Sequence, residues 1–409
     1  MKILLVHNFY GSTAPSGENK VFEAERKMLE THGETVDVFT RHSDEIRNGS
    51  IRGLIKGALC TVGNPFAARA LAKKIREFKP DVVHFHNQFP LISPLAIRAA
   101  HRSGSKVVMT LHNYRTICAA GVPTREGRVC TECFRRKEER RRKKEEVWNR
   151  SCSLRIKPAL RHRCYRGSLL ATIPLAISIW LYHKCWARWV DRFIVLSEFQ
   201  RERMLECGFP AEIIKVKGNF ILSQDCVESS HRSGFIYVGR LSDEKGVRTL
   251  IDAWRMMSSL LTKQCPVLNI IGDGDRRSVY EDLARDLPIH FLGKMPHEQV
   301  MRMLAHSMCL IQPSVCWETF GLTVLEAASV GTPSIVSALG ALQSLVKDGL
   351  TGLIVCSGNP KELAFAVRSM LNRSDYDAMS KESRKFSFGF REEENWNMLL
   401  AIYRDVIGK

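Results

Sequence analysis

The chain has 409 residues, 44% of them hydrophobic and 25% charged, a mix that excludes a wholly disordered, collagenous or polytopic membrane chain. At about 100 to 200 residues per domain, this length predicts two or three domains. Lysine and arginine total 61 against 43 aspartates and glutamates, a formal net charge of +18, which favours an anionic partner: nucleic acid, an anionic membrane face or a phosphorylated substrate.

In chain order, the first apolar run after Lys2 covers only residues 3–6. It is too short for a secretory signal and reads as an opening strand, so the protein is expected in the cytoplasm. Further β-rich runs at 35–40, 81–85, 106–111 and 192–196 alternate with amphipathic segments such as 20–31 and 65–78, the pattern of βα units and a parallel sheet. A second series follows at 235–238, 267–271, 289–292, 308–311, 334–336 and 353–355. The expected fold class is α/β, with two doubly wound parallel-sheet domains at 1–218 and 235–388. A linker rich in serine is placed at 219–234, and a closing helix at 389–409 is expected to pack back on the first domain.

An insert at about 113–190 separates the fourth and fifth runs. Its mixed-sign run, Arg135-Arg136-Lys137-Glu138-Glu139-Arg140-Arg141-Arg142-Lys143-Lys144-Glu145-Glu146, reads more as a solvated helix face than as a binding strip. Its longest apolar stretch, Leu169–Tyr182, is interrupted by Thr172, Pro174 and Ser178. It falls short of the roughly 20 residues of a spanning helix, so two readings stand: a helix lying in a membrane surface, or a core helix of the first domain. Thirteen cysteines in a chain this long are expected to be mostly reduced thiols.

In open α/β sheets ligands bind beyond the carboxyl ends of strands. His7-Asn8, His84 with His86, His112-Asn113, Gly239-Arg240, Gly272-Asp273 and Glu318 fall there. The strongest local motif is Glu318-Thr319-Phe320-Gly321-Leu322-Thr323-Val324-Leu325-Glu326, two carboxylates around the start of a helix. The amides of Gly321, Leu322 and Thr323, aided by the helix dipole, suit a diphosphate, and the two glutamates suit hydroxyls on either side of it. The plainer reading is a capped amphipathic helix with a solvated Glu326. Arg240 and Lys245 follow the strand at 235–238, and a guanidinium fork with a point charge suits phosphate oxygens. His84 and His86, taken singly, read as hydrogen-bonded core residues.

Together, Ser16-Gly17-Glu18, the strand-end histidines His84, His86 and His112, Gly239-Arg240 with Lys245-Gly246, and the E-x7-E pair Glu318 and Glu326 resemble the retaining glycosyltransferases of family 4 over nearly the whole chain. The resemblance implies the GT-B architecture, two Rossmann-like domains facing a cleft. It puts Arg240 and Lys245 on the diphosphate of a nucleotide sugar, Glu318 on the donor sugar's hydroxyls and Glu326 on the ribose. Gly17 would approach phosphate or acceptor, and His112 would face the reacting sugar. Lys294 and Met295, after the run at 289–292, are expected at the base. The chain departs from the family at Ser16, where a glycine is usual, and at Gly272-Asp273-Gly274-Asp275, where the family has Gly-x-Gly-Pro. That segment is read as a glycine turn rather than a metal-binding Asp-x-Asp, since the cationic pair makes a catalytic metal unnecessary.

Cys118, Cys130-x-x-Cys133 and Cys164 resemble a cysteine-containing subgroup that builds surface polysaccharides. Four thiolates around a structural zinc and four buried thiols are equally good readings, with Cys152 a rival ligand. The activity implied is transfer of a hexose from a UDP- or GDP-sugar to a hydroxyl acceptor, a lipid-linked glycan, with retention of configuration. The basic residues at 135–144 and Leu169–Tyr182, with Trp180, Trp186 and Trp189, would hold the enzyme on the inner face of the membrane. A nucleotide-sugar epimerase of the same fold is the alternative. A zinc-containing nucleic-acid binder leaves the paired glutamates without purpose, so no nucleic-acid partner is expected. No complete Gly-x-Gly-x-x-Gly follows a strand, which makes a Rossmann dehydrogenase a weaker reading still.

Overall fold

The computed structural model describes residues 1–11, 17–46, 51–134, 152–221, 231–260 and 265–408. They form two compact units: Met1–Pro123 with Cys130–Gly218 and Glu393–Lys409, and Thr124–Val129 with Asn219–Glu392.

The first unit is built on strands β1 (Lys2–Phe9), β2 (Thr35–His42), β3 (Val82–Asn87) and β4 (Lys106–Leu111). After a short hairpin of β5 (Thr124–Arg125) and β6 (Arg128–Val129), β7 (Arg192–Val195) and β8 (Ile214–Val216) complete the sheet. Its order is β2-β1-β3-β4-β7-β8, and every pairing is parallel. The apolar stretch Ile3, Leu4, Leu5 and Val6 is buried without alternation, as expected of a strand covered by helices on both faces. The helix Pro65–Phe78 shows why local sequence suffices there. Asn64 caps it by accepting from Ala67 N at 3.1 Å, Pro65 opens it, and Ala67, Leu71 and Ile75 form its buried stripe.

The second unit contains β9 (Phe235–Val238), β10 (Leu268–Ile271), β11 (Ile289–Gly293), β12 (Cys309–Gln312), β13 (Ser334–Ser337) and β14 (Gly352–Val355). They form a parallel sheet in the order β11-β10-β9-β12-β13-β14. Trp254, Phe235 and Tyr237 anchor its core.

Both sheets reverse direction once, between β1 and β3 in the first and between β9 and β12 in the second. Such switch points open a crevice at the carboxyl ends of the two strands. Lys245 follows β9 and Glu318 follows β12.

The structure adds elements that the sequence pattern does not reveal. β8 and the β5–β6 hairpin are too short to show a period. The helix Ile51–Val62 has its polarity inverted, with Gly53, Gly57 and Thr61 buried while Ile51, Leu54, Ile55 and Leu59 are exposed. It packs against Leu169–Tyr182, which buries Thr172, Leu175, Ala176 and Ile179 and exposes Leu170, Ile177, Trp180 and Leu181. No helix among the described residues is long and apolar enough to cross a membrane. The closing helix is Glu392–Ile407, and all but its first residue belongs to the first unit, where Asp405 accepts from Arg192 Nε at 2.9 Å. Ser16, the charge run 135–146 and most of the expected linker lie outside the described residues.

Candidate functional site

In the second unit the loop after β9 lies against the loop after β12. Gly246 permits this: its φ is +72°, and a Cβ there would stand 1.9 Å from Pro313 O, so no other residue fits without displacing backbone. Lys245 Nζ thereby donates to Glu318 Oε1 at 2.6 Å, and Ser314 Oγ donates to the same oxygen at 2.8 Å. Burial opposes the charge on Glu318, but Lys245 and Ser314 outweigh it and hold the carboxyl below its ordinary value. Burial likewise opposes the Lys245 charge, and the Glu318 carboxylate more than offsets it, so the ammonium is held above its usual value. The two residues expected on separate parts of a donor are therefore partners of each other.

Arg240 is more exposed: its guanidinium reaches Ser242 Oγ at 3.2 Å and pairs with Glu244. Gly321 caps the helix Leu322–Ser329, and the first amide to bond back is that of Val324, to Gly321 O at 3.0 Å. The amides of Gly321, Leu322 and Thr323 thus precede the helical ladder. Glu326 is not solvated. It is 7% exposed and accepts from His297 Nε2 at 2.8 Å. His297, at the start of the helix His297–His306, is a site residue that the sequence reading missed; its only signal was a histidine after the Gly293-Lys294-Met295 loop.

Asp273 accepts from Gly274 N at 2.9 Å, and Gly272 packs against Gly239, where a Cβ would meet the carbonyl at 1.9 Å. This is a turn held by glycines, with Asp275 exposed. Lys294 Nζ lies 4.0 Å from Asp273 Oδ2, and Met295 is half-buried.

In the first unit, His84 and His86 are not at the end of β3 but inside it, on one face and buried. His86 Nδ1 is 3.1 Å from His112 Nε2. Burial and neighbouring His86 push the His112 imidazole well below its ordinary pKa. His86 and His112 line a cavity with Asn87, Phe89, Arg115 and Trp186, and the Arg115 guanidinium sits 4.3 Å from the Phe89 ring centre. Beside it, burial pushes Glu18 up to about 7, against the pull of Arg115 and hydrogen bonds from Tyr10 and Asn113. Tyr10 and Arg115 were not legible as site residues. Gly17 is the exposed first residue of the helix Gly17–Thr31. His7 and Asn8 serve packing: His7 stacks on Phe22 at 4.5 Å and Asn8 Oδ1 accepts from Leu91 N at 3.1 Å.

The four cysteines are neighbours. Burial pushes the Cys133 thiol up, and the nearby Cys118, Cys164 and Cys130 add to it. Burial pushes Cys118 up to about 11, while amide hydrogen bonds from Ala120 and Gly121 to its sulphur act the other way. The sulphurs do not form a closed ligand set. Among the described residues the one group with three ligand atoms within 4.8 Å of one another is Glu25, His84 and His86. The side chain of Cys152 lies outside the described residues.

The family model described as Glycosyltransferase Family 4 matches residues 16–221, half of the chain, and the model described as Glycosyl transferases group 1 matches 226–386. The chain belongs to glycosyltransferase family 4. Among sequence relatives of this family 4 chain, a glycogen synthase from Mycobacterium tuberculosis is 30% identical over 60% of the chain and 59% of its own length. A D-inositol 3-phosphate glycosyltransferase from Corynebacterium kroppenstedtii is 30% identical over 44% of the chain and 42% of its own length. The chain thus spans no more than about three fifths of these curated relatives. In structure it is similar to the Anabaena HepE protein in complex with UDP-glucose, with a TM-score of 0.63, 17% identity, and 98% of this chain and 99% of that one covered. Sucrose-phosphate synthase from Thermosynechococcus elongatus gives 0.65 at 17% identity, covering 100% and 99%. These likenesses establish two Rossmann-like domains of the GT-B class.

Proposed function

We propose that this protein transfers a hexose from a nucleotide diphosphate sugar to a hydroxyl of a lipid-linked glycan, with retention of anomeric configuration. The observation that carries the reading is the Lys245–Glu318 pair at the β9/β12 switch point, on a loop leading to the amides of Gly321, Leu322 and Thr323. As the donor bond breaks, negative charge grows on the departing nucleoside diphosphate. Lys245, those amides and Arg240 supply fixed positive charge and dipoles for it. Glu318, kept ionised before the donor arrives, accepts hydrogen bonds from sugar hydroxyls and fixes the sugar's orientation. Glu326, held in place by His297, is assigned to the ribose, and Lys294 with Met295 to the base. His112, on the cavity wall of the first unit, is assigned to the reacting sugar. No step needs a divalent metal.

The structural neighbour HepE, solved in complex with UDP-glucose, makes a uridine donor the first to try. Calorimetry with UDP, GDP and ADP, followed by transfer of labelled sugar into a lipid fraction, tests the reading. No binding of any nucleoside diphosphate would sink it; labelled sugar that is isomerised without transfer would point to an epimerase.

The same reading places the enzyme on an anionic membrane surface. Exposed apolar residues of Ile51–Val62 and Leu169–Tyr182 support it, with exposed Arg52, Lys56 and Lys184 beside them in sequence. Vesicle flotation should be strong at low salt and weaker at high salt; protein that stays at the bottom under both conditions removes this part. For Cys118, Cys130, Cys133 and Cys164 we propose a structural zinc. Amide hydrogen bonds to a sulphur favour the thiolate that a metal needs, although the sulphurs would have to draw together. Metal analysis of protein purified without added zinc decides between the ion and buried thiols.

A further inference from the structure

The carboxylate of Glu318 has two partners of different kinds. Oε1 accepts from Lys245 Nζ at 2.6 Å and from Ser314 Oγ at 2.8 Å, and among the described residues no donor reaches Oε2. The Lys245 side chain keeps some contact with solvent, whereas Ser314 is fully buried. The main chain around Ser314 is fixed from several sides. Ser357 Oγ donates to Ser314 O at 3.0 Å, and Val315 N donates to Glu244 O at 3.0 Å, which ties the segment to the loop after β9. Glu318 is held at its own backbone as well: its N donates to Cys316 O at 3.0 Å and its O accepts from Ala341 N at 3.1 Å. A Cβ on Gly340 would stand 2.8 Å from Glu318 N, so the chain on that side is packed without slack.

These contacts fix where Glu318 starts but not how its carboxylate is turned about the side-chain bonds. Its hydrogen bonds decide that. An ammonium carries three protons on a flexible stem and is drawn to any phosphate that arrives. A serine hydroxyl has one proton to give, and that of Ser314 goes to Glu318 Oε1. Enclosed as it is, the hydroxyl has no water to turn to, and breaking the bond would leave it unpaired inside the protein. Once a diphosphate takes up Lys245, the bond from Ser314 is the one that remains on Oε1.

We propose that Ser314 is a positioning residue for Glu318: it holds Oε1 in place when Lys245 turns to the diphosphate, and so keeps Oε2 oriented to accept from a hydroxyl of the donor sugar. The diphosphate and the sugar rest on the transfer reading above; the hold of Ser314 on the carboxylate does not.

The first measurement needs no substrate. In the full chain labelled with 13C at the glutamate carboxyls, the Glu318 signal is the one that Glu318→Gln removes, which also separates it from Glu244, the carboxylate paired with Arg240. The other titratable groups facing Glu318 are Lys245, Arg240, Tyr237 and Cys316. Burial pushes Tyr237 and Cys316 up, and the two cations stay charged in acid, so none of them titrates together with Glu318. Its midpoint lies below the ordinary carboxyl value in the wild type and should rise in Ser314→Ala, because a hydrogen bond to the charged form is lost. An unmoved midpoint overturns the proposal. The second measurement is kinetic. Ser314→Ala should lose about tenfold or more in kcat while UDP binds within about twofold of the wild type. In a Glu318→Ala background the same change should cost nothing further, because Ser314 acts through that carboxylate. Wild-type kcat in Ser314→Ala, or losses that multiply in the double variant, overturn the proposal. If the wild type transfers no sugar from any donor while the midpoint moves as stated, the transfer reading fails and the hold on Glu318 stands.

Discussion

Two lysine–glutamate pairs, one in each unit, differ in exposure. Lys245 and Glu318 meet at 2.6 Å with side chains 24% and 18% exposed, whereas Lys217 and Glu25 meet at 3.0 Å with 2% and 1%. A pair at the edge of solvent can exchange its partner for a phosphate or a sugar hydroxyl, because water and ligand replace what is broken. A fully enclosed pair cannot exchange, because separating it leaves a bare charge in a medium that does not solvate it. The same two side chains are thus exchangeable in one unit and fixed in the other.

The largest effect should come from breaking the enclosed pair on one side only. Lys217→Met strands the Glu25 carboxylate and should cost about 3 to 5 kcal/mol of stability, read by denaturant unfolding. E25M/K217M should recover most of that loss, and equal losses in both variants would contradict the comparison. Next, Glu318→Ala should lower transfer by about two orders of magnitude while a nucleoside diphosphate still binds, because Glu318 is assigned to the sugar. Turnover at the wild-type rate would remove that assignment.

Smaller effects sharpen the contrast within the open site. Lys245→Met should weaken diphosphate binding by about 1.5 to 3 kcal/mol, the range for hydrogen bonds to charged groups. The more exposed Arg240 should matter by about 1 kcal/mol or less when changed to Ala. Calorimetry that ranks them in the opposite order places the phosphate nearer Arg240.

The smallest expected change is in pH dependence. The Glu318 carboxyl is held below its ordinary value, so the pair's contribution is complete above the unfolded carboxylate pKa and is lost as pH falls through the lower folded value. In Lys245→Met, burial is no longer opposed by the ammonium and raises that value, which moves the acid limb of kcat to higher pH. A limb that does not move assigns it to another group.

Much of the loop cluster after β9 and β12 was legible because its signals are local. Arg240 and Lys245 stand in one loop, and Glu318 and Glu326 bracket one helix start, so spacing along the chain nearly equals arrangement in space. The burial of Glu326 was not legible, since its partner His297 lies 29 residues away on another helix. The first unit's network was legible only in fragments. His84 and His86 were read as core residues and are buried, but nothing in the segment 20–31 singles out Glu25, whose partner Lys217 stands 192 residues beyond it.

The sequence by itself determined the two parallel sheets. Apolar strands and helical stripes act over a few residues, and short connections leave few ways to assemble them. It also put Lys245 after β9 and Glu318 after β12, whereas His84 and His86, expected at a strand end, lie inside β3. Only the tertiary structure decided which of those side chains meet. Whether a carboxylate is solvated, paired or enclosed depends on packing between elements distant in the chain, and no periodicity encodes that. Hence the outward apolar face of Ile51–Val62, the pairing of Lys245 with Glu318, and the enclosure of Lys217 with Glu25 emerge from how the strands and helices are assembled rather than from any local pattern.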